Sequence, residues 1–162
     1  MTAPTLPAAP DTADVREVAF FAADVPDMQT LIDGLRPGVA YHVLSPDGDG
    51  LAEIATHLAG YWELEALHIV SHGTPGKIFL GSLDLTARDF VSYDKILNVI
   101  ANSTCDSGNI LLYGCNVGKG VFGGTFIRDL EHRLGRSVFA SDTSTGATHL
   151  GGDWDLALTG HA

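Results

Sequence analysis

A histidine and a cysteine each lie beside a glycine at the end of an apolar stretch of this chain. The stretch LHIVS (67–71) continues as His72-Gly73, and the stretch ILLY (110–113) continues as Gly114-Cys115. A thiol is a competent nucleophile near neutral pH, because part of it is thiolate and a nearby imidazole raises that part. If the two stretches are neighbouring strands, His72 and Cys115 have the types and order of residues that a cysteine hydrolase needs.

The glycines beside this pair suit the same chemistry. Acyl transfer passes through a tetrahedral oxyanion, which backbone N–H groups stabilise when no side chain obstructs them. The amides of Gly73 and Cys115 are therefore the predicted oxyanion hole.

Strand-like and helix-like patterns alternate along the chain. Apolar runs predict strands at 18–22, 41–44, 67–71, 110–113, 137–141 and 154–158, and residues 77–80 and 83–85 predict a hairpin. Helical spacing follows at 28–35, at 51–58, from a Thr86-x-x-Asp89 capping box to about 101, and at 126–134. This order predicts a three-layer α/β/α sandwich with a mainly parallel sheet and a small hairpin. Residues 1–15 are a predicted linker, and 16–162 a single domain.

Composition excludes several classes of function. The chain has 162 residues, 45% of them hydrophobic, and a formal net charge of −11, so it can fill a core but repels nucleic acid and anionic membranes. It has no apolar run long enough to span a bilayer and no signal-peptide pattern. The spacing of its cysteines and histidines predicts no metal site and no cofactor. Asp47-Gly48-Asp49-Gly50 is interpreted as a turn in which Asp49 caps a helix, rather than as a calcium loop.

Two motifs carry a resemblance to a known group of enzymes. LHIVSHG (67–73) followed by ILLYGC (110–115) resembles the caspase-like cysteine peptidases of clan CD. Residues 17–160 also resemble a bacterial domain of unassigned function found in very large, repeat-bearing surface or secreted proteins. LRPGVAYHVLSPDGDGL, HIVSHGTPG, ILLYGCNVG and LGGDWDL are the stretches that carry this second resemblance.

The resemblance implies a caspase-like fold with a flavodoxin-like core, and it assigns roles to residues. His72 is implied to be the general base and acid, and Cys115 the nucleophile. Asn116-Val117-Gly118 follows the cysteine where caspases carry Arg-Gly, so aspartate specificity does not carry over. The strand end that contains Ser141 and Asp142 is implied to line the specificity pocket, where Asp142 favours a basic residue before the scissile bond.

The resemblance also implies a setting for the domain. A polypeptide is the expected substrate, and in a giant parent chain that substrate includes the parent itself, which makes the role autoprocessing. Arg16, which precedes the first strand in what is expected to be a flexible segment, is the candidate cleavage site. The expected location is extracellular or at the bacterial cell surface. Activation by calcium or by a partner is a further hypothesis for which the sequence holds no ligand motif.

Other interpretations of the same residues remain open. Free cysteines often pack in protein cores, so Cys115 is also open to interpretation as a buried core residue. A Cys105–Cys115 disulfide is compatible with the spacing of the two residues. Cys105 is expected in a loop, and His68 is expected to support the core rather than bind metal. The rival function is a catalytically inactive α/β module that serves as a structural or partner-binding domain of a bacterial adhesin.

Overall fold

The predicted apolar runs coincide with strands, although β7 begins six residues before its predicted start, and residues 154–156 of the last predicted strand lie outside the described residues. The computed structural model describes residues 14–141 and the backbone of 157–158. Its strands are β1 Glu17–Phe21, β2 Ala40–Val43, β3 Leu64–Val70, β4 His72–Thr74, β5 Lys77–Leu80, β6 Leu83–Thr86, β7 Thr104–Tyr113, β8 Ser137–Ala140 and β9 Ala157–Leu158. Its helices are α1 Met28–Asp33, α2 Gly50–Leu58, α3 Asp94–Ser103 and α4 Gly120–Leu134.

Two sheets organise these elements. The larger has the strand order β2-β1-β3-β7-β8-β9, in which the first five strands are parallel and β9 is antiparallel to β8. The smaller is an antiparallel sheet of β4, β5 and β6. Together with the flanking helices, they confirm the predicted α/β fold with a mainly parallel sheet and a small hairpin.

Alternation along the strands divides the core between the two faces of the large sheet. Val18 and Phe20 of β1 point into the main cluster, which contains buried side chains of α2, α3 and α4. Ala19 and Phe21 point to the other face, where the apolar side chains of α1 pack. The layers are therefore α1, the sheet, and α2 to α4.

Three local expectations were wrong. The sequence His72-Gly73-Thr74-Pro75-Gly76 is typical of a turn-rich loop after the third strand. Residues 72–74 nevertheless form β4, because Pro75 and Gly76 fold the chain back onto β5. Gly76 has a φ of 75°, as the second central position of a type II turn requires. Cys105, also expected in a loop, belongs to β7. The capping box of Thr86 and Asp89 begins a 3₁₀ turn at 87–89 and not α3, which starts only at Asp94.

The two cysteines are free and lie at opposite ends of β7. The nearby strand residues Thr104 and Tyr113 pair with Leu64 and Val70, which lie about 20 Å apart along β3. A disulfide between Cys105 and Cys115 is therefore excluded, since its Cα atoms need to lie within about 7 Å of each other.

Arg16 does not lie in the flexible segment expected for a cleavage site. Its carbonyl oxygen accepts hydrogen bonds from the N–H groups of Glu65 (2.7 Å) and Ala66 (3.4 Å), and the preceding Val15 is buried. A protease binds its substrate as an exposed, unpaired segment, so this bond is held out of reach in the folded domain. The rest of the predicted linker, residues 1–13, lies outside the described residues.

Asp49 joins two helices through a single carboxylate. Oδ1 accepts hydrogen bonds from the backbone N–H groups of Leu51 and Ala52, both at 3.1 Å, which confirms the predicted helix cap. Oδ2 accepts a hydrogen bond from the hydroxyl of Tyr93, the residue that precedes α3, at 2.6 Å. This hydrogen bond, followed by burial and by the charges of Asp49 and Asp89, raises the pKa of Tyr93 to about 12.

Asp49→Ala is expected to lower the free energy of unfolding by about 2 kcal/mol, because it removes a helix cap and a charge-assisted hydrogen bond. Urea unfolding followed by circular dichroism measures this loss. Asp47→Ala, the same change at an exposed position of the same turn, is the control and should stay within about 0.5 kcal/mol of wild type. Equal losses in the two variants would contradict the role of Asp49.

A stacked histidine pair lies between β2 and α2. The rings of His42 and His57 are 4.0 Å apart at their centroids, and His42 Nε2 is 2.9 Å from the hydroxyl of Tyr61. Phe20 covers the His42 ring from the core. Burial, and then the charge of His57, lowers the pKa of His42 below its ordinary value of 6.5.

Folding lowers the pKa of His42. As the pH falls through 6.5, the unfolded chain therefore binds more protons at this residue than the folded protein does. The contribution of His42 to stability is therefore present above pH 6.5 and declines below it. Urea unfolding at pH 7.5 and pH 5.5 is expected to show a smaller pH dependence in His42→Phe than in wild type. His132→Phe, at an exposed position of α4, is the control and should keep the wild-type dependence.

Candidate functional site

The motifs His72-Gly73 and Gly114-Cys115 lie at the carboxyl ends of neighbouring strands. β3 pairs with β7 through Val70 and Tyr113, and the N–H of Ser71 continues this pairing to the carbonyl of Tyr113 at 3.4 Å. Ligands of open parallel sheets bind at this edge, where successive connections leave the sheet. The tertiary structure thus brings the backbones of the two predicted motifs together.

Two glycines allow this close approach. A Cβ built on Gly114 would lie 3.5 Å from the Cα of Gly73 and 2.7 Å from Cγ2 of Val117. A Cβ built on Gly73 would overlap the same Cγ2 and lie 3.3 Å from the carbonyl oxygen of Cys115. Val117 is fully buried, so its side chain occupies the space that any side chain at Gly73 or Gly114 would need.

Backbone hydrogen bonds hold the segment that follows Cys115. Asn116 adopts a left-handed conformation, with a φ of 59°, and its carbonyl accepts a hydrogen bond from the N–H of Lys119. The carbonyl of Val117 accepts from the N–H of Gly76 in the β4–β5 turn, at 2.9 Å. The N–H of Gly118 donates to the carbonyl of Ser141, also at 2.9 Å. The segment is thereby fixed to both the β4–β5 turn and the end of β8.

Of the predicted specificity residues, Ser141 lies next to this segment and its side chain is buried. Asp142 lies outside the described residues. The specificity pocket stays a prediction.

His72 is half-exposed and is held by the loop after β1. Its Nε2 is 3.1 Å from the carbonyl oxygen of Asp24. A carbonyl only accepts hydrogen bonds, so Nε2 carries the proton and Nδ1 has the free lone pair in the neutral ring. The Asp24 carboxylate is 3.7 Å from the same nitrogen, but both groups are exposed, so this ion pair adds little to stability.

Asp24 is the residue that sequence reasoning missed. It follows β1 by three positions, and β1 lies beside β3 in the sheet. In the sequence, Asp24 is only a polar residue after the first apolar run. Its contact with His72 depends on the order of the strands in the sheet. The bond from the Ala22 N–H to the Val70 carbonyl, at 2.9 Å, places the end of β1 against the end of β3.

A hydrogen-bonded line of three side chains supports the strands beneath this edge. His68 Nδ1 is 3.0 Å from the hydroxyl of Tyr113, and His68 Nε2 is 3.0 Å from Oε1 of Glu17. Glu17 also pairs with Arg36. Burial, and then the Glu17 charge, raises the pKa of Tyr113, while Arg36 acts in the opposite direction. Because the Glu17 carboxylate accepts a hydrogen bond from Nε2–H, Nδ1 of the neutral His68 ring accepts one from the Tyr113 hydroxyl, and the line joins β1, β3 and β7.

A cleft of about 280 Å³ lies at the other end of the sheet. Its lining is Asp106, Ser107, Gly108, Glu131, Gly135, Arg136 and Ser137. The Arg136 guanidinium already donates to the carbonyl oxygens of Ala101 and Thr104. This cleft is near the amino ends of β7 and β8 and shares no residue with the predicted site, so we do not assign the chemistry to it.

No group of three or more His, Cys, Asp or Glu side chains within 14–141 is arranged to hold a metal ion. In the same part of the chain, no helix combines the length and apolar character that crossing a membrane requires.

Fold and site together define an α/β protein of flavodoxin-like strand order, with a His-Gly and a Gly-Cys motif adjacent at the carboxyl edge of its parallel strands. The family model "Domain of unknown function (DUF4347)" matches residues 18–161, and the chain belongs to this family. Searches of curated proteins and of solved structures find no match.

Gly73→Ala is expected to destabilise the protein by about 1 to 3 kcal/mol, because the added methyl group overlaps buried Val117. In the double variant with Val117→Ala, the two losses should not add, since the smaller side chain makes room for the methyl group. Urea unfolding of the two single variants and the double variant measures this coupling.

Gly124→Ala is the matched control, because a Cβ at Gly124 meets only the Arg128 side chain, at 3.6 Å. As Gly124 lies inside α4, the change should leave stability unchanged or raise it by up to about 1 kcal/mol. Additive losses in the Gly73 and Val117 variants would show that these residues do not compete for the same space.

Proposed function

We propose that this domain is a caspase-like cysteine endopeptidase in which Cys115 is the nucleophile and His72 is the general base and acid. The observation that carries the proposal is the adjacency of His72-Gly73 and Gly114-Cys115 at the carboxyl ends of β3 and β7. Cys115 is partly exposed and His72 half-exposed, so a substrate has access to both.

The proposed reaction is acyl transfer. Neutral His72 takes the proton of the Cys115 thiol, and the thiolate sulfur adds to the carbonyl carbon of the scissile peptide bond. The tetrahedral intermediate collapses as the protonated histidine gives its proton to the leaving amine, which forms a thioester. Water then adds to the thioester, with His72 accepting its proton, and the carboxylic acid product leaves with Cys115 regenerated as a thiol.

The contact between His72 and Asp24 supports this role for the imidazole. The Asp24 carbonyl accepts a hydrogen bond from Nε2–H, which leaves Nδ1 as the nitrogen that exchanges protons. A backbone carbonyl needs no particular side chain at position 24. It holds the ring in one tautomer, and it remains a hydrogen-bond acceptor when the ring becomes an imidazolium.

The amide of Gly73 suits the proposed oxyanion hole. Thr74 and Lys77 are the pair that closes the two-residue turn between β4 and β5, and Gly73 pairs with Ile78 one step further. Hydrogen-bonded and non-hydrogen-bonded pairs alternate along an antiparallel ladder, so the Gly73 N–H is expected to face away from β5. The Cys115 amide is the proposed second donor.

The natural setting remains part of the proposal. The substrate is a polypeptide, and autoprocessing of a larger bacterial surface or secreted protein is the role we favour. The Arg16–Glu17 bond is not retained as the cleavage site, since the Arg16 carbonyl is hydrogen-bonded within the sheet.

Alkylation by iodoacetamide tests whether Cys115 is activated. Both cysteines are partly exposed, so Cys105 is an internal standard for accessibility. Cys115 is expected to react at least about tenfold faster than Cys105, because only Cys115 has an imidazole at its strand end. Peptide mapping by mass spectrometry over time gives the two rates, and His72→Ala should slow the reaction at Cys115 alone.

Intact-mass measurement extends this test to catalysis. Wild type and Cys115→Ala are incubated with a panel of peptide acyloxymethyl ketones, with and without calcium. One covalent adduct or a self-cleavage product, absent in Cys115→Ala, is the expected result. Equal alkylation rates for the two cysteines and no adduct across the panel would instead favour the catalytically inactive, partner-binding module.

A further inference from the structure

The first turn of α4 presents two neighbouring apolar side chains to solvent. Val121 and Phe122 are 81% and 77% exposed, more than any other large hydrophobic side chain within 14–141. Single exposed apolar residues are ordinary on protein surfaces, whereas adjacent ones close to a functional site are typical of a binding surface.

This pair adjoins the proposed catalytic edge. A Cβ built on Gly76 would lie 2.7 Å from the carbonyl oxygen of Phe122 and 3.0 Å from its Cβ. Gly76 belongs to the turn that follows β4, whose first residue is His72, and its N–H donates to the Val117 carbonyl. Phe122 therefore lies against the β4–β5 turn, which follows the His72 strand and is hydrogen-bonded to the segment after Cys115.

Three cationic residues belong to the segments that adjoin the apolar pair. Lys77 follows the Gly76 turn directly, Lys119 precedes α4, and the Arg128 guanidinium returns along α4 to the carbonyl of Gly124. They are three of only nine basic residues in a chain with 20 acidic ones. Within the described residues none of the three lies within 4.0 Å of a carboxylate, and Asp129 is the acidic residue closest to them along α4.

Lys77 also connects this surface to the histidine. In the antiparallel register His72 opposes Phe79 and Thr74 opposes Lys77, so these four side chains share one face of the small sheet. Ile78, which alternates with them, is buried on the opposite face. A chain bound across this outer face would pass from His72 to Lys77 and reach Phe122.

We propose that Val121, Phe122, Lys77, Lys119 and Arg128 form a substrate-docking surface, which binds a polypeptide segment with an apolar side chain flanked by acidic ones. The apolar side chain packs on Phe122, and the carboxylates pair with the cations. The inference rests on the proposed function in taking the bound polypeptide to be the substrate. The charge of −11 disfavours an anionic membrane as the occupant, because the rest of the protein is repelled from it.

Peptide binding to the full chain carrying Cys115→Ala tests the surface without cleavage. The probes are three fluorescein-labelled peptides of equal length, with the central sequences Glu-Leu-Phe-Glu, Lys-Leu-Phe-Lys and Glu-Ser-Ser-Glu. Fluorescence anisotropy is expected to show that the first binds at least about tenfold more tightly than either of the others. Raising the salt concentration should weaken this binding, because Lys119 and Arg128 are exposed to solvent and Lys77 is partly exposed.

Phe122→Ser and Lys77→Glu, each in the same Cys115→Ala protein, should weaken binding of the Glu-Leu-Phe-Glu peptide about tenfold or more. Trp62→Ser is the matched control, because Trp62 is a half-exposed aromatic residue at the amino-terminal edge of β3, opposite the site. Thermal unfolding of each variant establishes that it is folded.

Equal affinity for the three peptides, no binding of any, or an equal effect of Trp62→Ser and Phe122→Ser would overturn the docking surface. Stronger binding to phosphatidylserine vesicles than to the Glu-Leu-Phe-Glu peptide would also overturn it. Failure of the peptidase hypothesis is separate, since it appears as an unreactive Cys115. An unreactive thiol together with Phe122-dependent peptide binding would leave the surface intact and reject only the chemistry.

Discussion

The close approach of two strand ends over Val117 is the constraint on which the candidate site depends. Gly73 and Gly114 have no side chains, and the buried Val117 side chain fills the space left between them. Interiors are packed so densely that a single added methyl group at such a contact moves the backbone. The two glycines therefore allow the His72 and Cys115 backbones to meet, whatever chemistry the pair performs.

The surrounding structure keeps this edge in place from several directions. The line of Glu17, His68 and Tyr113 joins three adjacent strands on the α1 face of the sheet. Beyond the end of β7, the backbone of the segment after Cys115 is hydrogen-bonded to Gly76 and Ser141. Proposed nucleophile and proposed base thus lie on segments with few alternative conformations, as catalysis by orientation requires. The hydrogen bond from His72 Nε2 to the Asp24 carbonyl also restrains the orientation of the imidazole ring.

The net charge of the whole chain and the local charge at this edge of the sheet are expected to act on different partners. The net charge of −11 is expected to disfavour nucleic acid and anionic surfaces as partners. The proposed docking surface nevertheless combines Lys77, Lys119 and Arg128, three of the nine basic residues, with the exposed Phe122. A surface of this kind contributes to selection of a partner more than to affinity, since exposed ion pairs are individually weak.

Much of the fold was predictable because periodicity is local. The alternation of apolar runs with helical spacing was enough to predict the α/β class, the hairpin and the mainly parallel sheet. Asp49 was correctly interpreted as a cap, because a cap is recognised from residues within one turn. The errors at β4, Cys105 and the start of α3 lie where a short segment is compatible with more than one structure.

By itself, the sequence determined most of the element types and the positions of the His-Gly and Gly-Cys motifs after predicted strands. Only the tertiary structure decided that β3 and β7 are neighbours, that Asp24 reaches His72 from β1, and that the two cysteines are too far apart to bond. It also decided that Val117 packs against both glycines and that Phe122 lies beside the His72 hairpin. The physical reason is that strand order and packing depend on contacts between segments distant in the chain, which local hydrophobic patterns do not encode.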